Sequence, residues 1–278
     1  MSKAQQAKPQ AQEVIKKAEA QVPTKINLEE MAGQGMEFVT ARDQKLPILK
    51  IIYANSPVLD ESDGKYIERA KQGDIYSETS GNLWKGKEGV YVVPCLFINT
   101  FNEWKDKGDS PGRPVGIHSD PAILNSTHRG DDNKDRLENG NYIEDTGNHF
   151  VYILDKDFQP VEQALIAMKS TQKKKSKTWN SMMQLRRKPK KSGTGTYNPP
   201  CWSHVYKLST TKESNSQNSW YGWVIDFVKF LDEGKDLSLL QTTSNFYKSA
   251  RESDIFGKVD FSQEIKKVSG KDNAETPF

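Results

Sequence analysis

Between Lys169 and Lys191 the sequence has no acidic residue, although this stretch holds ten Lys and Arg side chains. The whole 278-residue chain carries a formal charge of only +3, so the remainder is net acidic. Cysteine is almost absent as well. Cys95 and Cys201 are the only two, and they lie far apart, which argues against a disulfide framework. No apolar run approaches the ~18–20 residues that cross a bilayer. The longest candidate, Val90 to Ile98, is interrupted by Pro94. The Ala/Gln/Lys-rich N-terminal stretch lacks the apolar core of a secretory signal. The chain therefore reads as a soluble cytoplasmic protein with no membrane partner. A hydrophobic content of 35%, with 6 Trp, 10 Tyr and 11 Phe, is enough to build a core beneath a very polar surface.

Signatures of catalysis and cofactor binding are also missing. Ser192 to Thr196 (SGTGT) follows lysines but lacks the Gly-Lys-Ser/Thr ending of a phosphate-binding loop. Cys201-x-x-His204 has zinc-like spacing without a matching second pair. Asp131-x-Asn133-x-Asp135 opens like a calcium loop, but Arg136 stands where glycine is needed. Asp155, Glu162 and Lys169 match no trusted nuclease spacing. The expectation is a non-enzyme without a cofactor. The rival readings are a metal-dependent DNA-processing nuclease and a DNA-contacting virion or scaffolding protein.

What is present is strand pattern. Residues 1–30 read as a mobile segment, with a short helix conceivable over Ala11 to Ala20. Leu46 to Ile52 is a strand candidate. In Val90 to Trp104 both alternating sets are apolar, which predicts a strand buried on both faces or one offering aromatics to a ligand. Lys105 to Gly147 reads as an elaborate polar loop. Further strands are expected at His149–Leu154, Ala164–Met168, Trp202–Ser209 and Ser219–Phe230. Helices are expected over Lys173–Arg187, where Trp179, Met182, Met183 and Arg186 follow helical spacing, and over Leu237–Arg251. This inventory predicts a mostly β chain with inserted helices (α+β). Its form would be a small OB-like barrel over residues 31–256 with long loops and a C-terminal helix, followed by a polar tail over 257–278.

The basic stretch sets the functional expectation. Segregated charge attracts a polyanion whatever the net charge. With no acid inside the segment, its cations repel one another and call for an anion from outside. Lys169, Lys173, Lys174, Lys175, Lys177, Arg186, Arg187, Lys188, Lys190 and Lys191 are the candidate phosphate contacts. Single-strand binders add rings on which bases stack, and Trp179, Trp202, Tyr206, Trp220, Tyr221 and Trp223 are the candidates. Both aromatic faces cannot be core unless something covers the second.

Two resemblances follow. The tail ends Glu275-Thr276-Pro277-Phe278 and resembles the acidic, Pro-Phe-terminated tails of bacterial single-stranded-DNA-binding proteins, although Lys271 opposes its two acids. That likeness implies partner binding by Glu275, Pro277 and Phe278 to replication or recombination proteins. The stretches PILKIIYANSPVLDESDGKYIERAKQGDIYSE, ALIAMKSTQKKKSKTWNSMM and HVYKLSTTKESNSQNSWYGW resemble a family of tailed-phage replication-region proteins described as single-stranded-DNA-binding proteins. The likeness spans Leu46 to Phe230. It implies a protein that coats single-stranded DNA stoichiometrically during phage replication or recombination.

Overall fold

The structure, a computed structural model, describes residues 27–39, 45–106, 113–216 and 218–252. The chain divides at Gln44/Lys45 into two units. In the first, the described residues 27–39 form successive turns. The second holds all the regular structure described below. The expected helix over Ala11 to Ala20 and the tail over 257–278 lie outside the described residues.

Two long strands organise the fold. β4 (Val90–Trp104) runs antiparallel to β8 (Tyr142–Leu154), in register from Tyr91 opposite Leu154 to Trp104 opposite Tyr142. The ladder slips once, between Pro94 and Leu96, where proline has no N–H to donate. β9 (Pro160–Lys169) extends the sheet from β8, and β12 (His204–Ser214) pairs with the start of β4. β13 (Ser219–Phe230) pairs along β12. The spatial order β12–β4–β8–β9 places the fourth of these strands beside the first, which is a Greek key.

Past the core, the β4–β8 ribbon continues as an arm flanked by β5 (Gly116–His118), β6 (His128–Arg129) and β7 (Asp135–Arg136). β8 thus starts at Tyr142, seven residues before the strand expected at His149. Its first half is polar and shows no apolar pattern. Cross-strand partners stabilise it instead: Asn99 donates to Asp145 at 2.9 Å, and Asn148 to Thr100 at 2.9 Å. The stretch expected to be one polar loop therefore contains short strands and the start of a long one.

A small sheet curls the large one. It consists of β1 (Leu49–Ile51), β2 (Ile75–Ser77) and β3 (Leu83–Trp84). Next to β1, Ile48 bridges Leu165 of β9, whose N–H donates to Pro47 O at 2.8 Å. On the other side, Thr210 of β12 donates its N–H to Gly86 O and its hydroxyl to Gly73 O. The result is a mostly β chain with a half-barrel sheet and few helices.

Both faces of the large sheet are covered. The inner face buries Val92, Val151, Ile153, Ile166, Met168, Tyr206 and Leu208 with Leu49, Ile51 and Ile75 of the small sheet. Trp179 of helix α1 (Lys173–Leu185) completes this core. The outer face buries Val93, Cys95, Phe150, Leu154 and Val205 beneath Leu239, Phe246 and Ala250 of α2 (Leu237–Glu252). Helix α2 is therefore the cover that a sheet apolar on both faces requires. Helix α1 lies close on β8 because Gly147 has no side chain. A Cβ there would stand 2.4 Å from Ser176 Oγ, far inside contact distance.

Candidate nucleic-acid interface

Helix α1 is held by its buried side. Gln172, just before it, accepts the N–H of Trp223 at 3.0 Å and ties the helix start to β13. Ser176 Oγ meets His149 Nε2 at 2.8 Å. One turn further on, the Trp179 ring stacks on His149 at 4.4 Å between centroids and meets Tyr206 edge-on at 5.6 Å. Trp179 is 0% exposed. These contacts fix which face the helix shows to solvent: Lys174, Lys177, Thr178 and Ser181.

Three consecutive lysines open this helix, at the end whose unpaired N–H groups are already positive. Helices favour acids there, so the sequence accepts a local penalty and concentrates positive field. The structure corrects the expectation that the segment lacks neutralising acids altogether. Carboxylates from distant parts of the chain reach four of the ten cations. Lys169 pairs with Glu144 at 2.8 Å and Lys175 with Glu213 at 2.7 Å, while Lys173 pairs with Asp145 and Lys191 with Glu233. Among the described residues no acid lies within ion-pair distance of Lys174, Lys177, Arg186, Arg187, Lys188 or Lys190.

Beyond the helix the chain forms a basic hairpin, β10 (Lys188–Pro189) with β11 (Thr196–Tyr197). The helix ends at Leu185, two residues before the expected Arg187, and Pro189 sits in this short strand. The half-buried Arg186 lays its guanidinium 3.8 Å above the Phe227 ring, and Lys188 Nζ lies 5.5 Å from that of Phe230. These rings fix two cations at the edge of the sheet. Arg187 and Lys190 are exposed. Lys174, Lys177, Arg187 and Lys190 thus form the solvent-facing, acid-free part of the segment.

The six candidate stacking rings separate by burial. Trp179, Tyr206 and Trp223 are buried and offer no ring face to a base. They serve as core because α1 closes the inner face over them. Burial pushes the Tyr206 hydroxyl pKa up to about 12, with nearby Arg186 opposing the shift. Trp202, Trp220 and Tyr221 are half-buried. Trp220 donates its Nε1–H to Glu213 at 3.0 Å, and Tyr221 packs on Gly73, where any Cβ would strike the ring. Glu275, Pro277 and Phe278 lie outside the described residues. The Asp155, Glu162 and Lys169 side chains have separate partners: turn amides for Asp155, Ser77, Ser80 and Asn82 for Glu162, and Glu144 for Lys169. Strand alternation places Phe227 on one face with Tyr221 and Trp223, but it reveals neither the Phe230 platform nor the pairing of these two rings with Arg186 and Lys188. Nothing in sequence links a cation to a ring some 40 positions away.

His149 contributes a pH dependence. Burial, reinforced by the Lys173 charge, pushes its pKa down to about 3, so it is neutral in the fold. The unfolded chain takes up a proton near pH 6.5 and the folded chain does not. Stability is therefore full above pH ~6.5 and falls as pH drops towards the folded value. The expected loss from this residue is about 2 kcal/mol between pH 7 and pH 5. His204 is also depressed by burial and adds to the slope. Urea unfolding of His149→Asn should show a visibly shallower dependence over pH 5–7 than wild type. An identical slope would mean that His149 titrates normally.

A half-barrel sheet with few helices, bearing a run of exposed cations along one edge, defines a mostly β protein. The chain belongs to the Pam3 phage gp34-like protein family, whose profile matches residues 16–255. No curated protein and no solved structure matches it. It is accordingly a phage protein. Among the described residues, no helix is long and apolar enough to cross a membrane.

Proposed function

We propose that the protein binds single-stranded DNA and coats it stoichiometrically during phage replication or recombination. The observation that carries this reading is the run of exposed cations at Lys174, Lys177, Arg187 and Lys190, which no acid among the described residues pairs in a chain otherwise rich in ion pairs. Of the three lysines that open the helix, Lys173 and Lys175 are paired with Asp145 and Glu213, and Lys174 adds an unpaired charge at the helix end where a cation is disfavoured.

The strand arrangement supports an OB-like reading. Within the eight-stranded sheet, the five strands β4, β8, β9, β12 and β13 form a partly open Greek-key arrangement, and α1 is inserted between the third and fourth of them. Folds of this kind bind oligonucleotides across one face. The reading needs no metal or cofactor, because coverage rests on phosphate neutralisation and base stacking. Recruitment of replication or recombination proteins through Glu275, Pro277 and Phe278 belongs to the same proposal.

A salt titration of binding to poly-dT tests it. Log K should fall linearly with log salt, at ~0.7 per phosphate neutralised on a single strand. Four or more contacts give a slope of about −3 or steeper. A slope near zero would remove the cationic edge from the binding mechanism.

A further inference from the structure

Helix α2 has a second face. Leu239, Thr243, Phe246 and Ala250 are buried on the sheet. Gln241, Ser244, Asn245 and Lys248, at helical spacing, line a groove of about 430 Å³. The opposite wall carries Tyr197 of the basic hairpin and Trp202, with Leu231 and Leu240 also lining the groove. Lys188 lines the same groove, which is therefore continuous with the cationic edge. Glu233, the acid on this wall, is paired with Lys191.

We propose that this groove takes a nucleobase of the bound strand, an assignment that rests on the single-stranded-DNA reading above. Three chemistries converge in it. Half-buried Trp202 and Tyr197 supply ring faces for stacking. Gln241 and Asn245 supply amide donors and acceptors that match the edge of a base. Lys188 and Lys248 supply charge for the phosphates on either side. The volume falls within the ~300–1,000 Å³ range of sites for small organic groups. Pro199, Pro200 and Leu237 complete a mostly apolar lining, and the amide and ammonium groups stand along its α2 side, a combination that suits the apolar faces and polar edge of a base. Trp202 is thus a sequence-predicted ring with a cavity beside it, while Gln241, Asn245, Lys248 and Tyr197 are new site residues.

The test uses the full-length chain and two oligonucleotides of equal length, one of dT and one abasic. Wild type should bind the dT strand about 5- to 150-fold tighter, the contribution of a stacked base. The double variant Gln241→Ala/Asn245→Ala alters exposed positions only and should melt like wild type. It should cut the dT-to-abasic ratio at least threefold. Lys248→Glu should weaken both strands alike and flatten the salt dependence. An unchanged ratio in the double variant, with wild type still binding dT, would overturn the groove assignment and leave the single-strand reading standing. Failure of wild type to bind either strand would remove both. Capture of a peptide spanning residues 271–278, lost in the double variant while the dT ratio holds, would give the groove to that segment instead.

Discussion

Replacing Lys174, Lys177, Arg187 and Lys190 together by alanine should lower affinity for single-stranded DNA by about 10²- to 10³-fold at 0.1 M salt. The size follows from counterion release. Each neutralised phosphate contributes ~0.7 to the salt exponent, and at 0.1 M salt each unit of exponent corresponds to about one decade of affinity. The side chains are exposed and have no acidic partner among the described residues, so their loss leaves no carboxylate uncompensated. Removing repulsion near the α1 N-terminus should leave stability unchanged or slightly raised. The contrasting set is Lys169, Lys173, Lys175 and Lys191, which hold Glu144, Asp145, Glu213 and Glu233. Alanine at those four should cost stability and change affinity much less. Equal affinity losses in the two sets, measured by fluorescence anisotropy, would show that pairing does not decide which cations reach DNA.

Trp179→Ala should cost about 3–5 kcal/mol of folding stability, the usual range for truncating a large buried aromatic. The indole is 0% exposed, stacked on His149 and in edge contact with Tyr206. Its loss opens a cavity under the helix that carries Lys174 and Lys177. Under conditions where the variant remains folded, affinity for dT should stay within a few-fold of wild type, because the ring touches no base. Urea unfolding and DNA titration on the same sample separate the two effects. A stability loss below about 1 kcal/mol together with a large affinity loss would place Trp179 in the interface instead.

Much of this fold is legible where the sequence carries an apolar period. β4 and β13 are found at their expected bounds, because both are dense in aromatic and aliphatic residues. Helix α1 follows from Trp179, Met182 and Met183, and α2 from Leu239, Phe246 and Ala250. The first half of β8 is not legible, since Asp145 and Asn148 meet Asn99 and Thr100 on β4 and Glu144 meets Lys169 on β9, partners that no local pattern reveals.

The site was legible as a count of cations and not as their partition. The acids that pair with Lys169, Lys173, Lys175 and Lys191 lie on β8, on β12 and beyond β13, far away in sequence. Burial likewise separates the rings. Trp179, Trp202, Tyr206 and Trp223 look alike as letters, yet Trp179, Tyr206 and Trp223 are buried while Trp202 borders an open groove.

The central claim is preference for a single strand, and one competition measurement tests it. Full-length protein is titrated with a dT oligonucleotide and with a duplex of the same length at 0.15 M salt, following tryptophan fluorescence. Binding to dT at least tenfold tighter than to duplex, accompanied by quenching, is the predicted result. Equal affinity for the two forms, or binding to dT without quenching, would contradict the account.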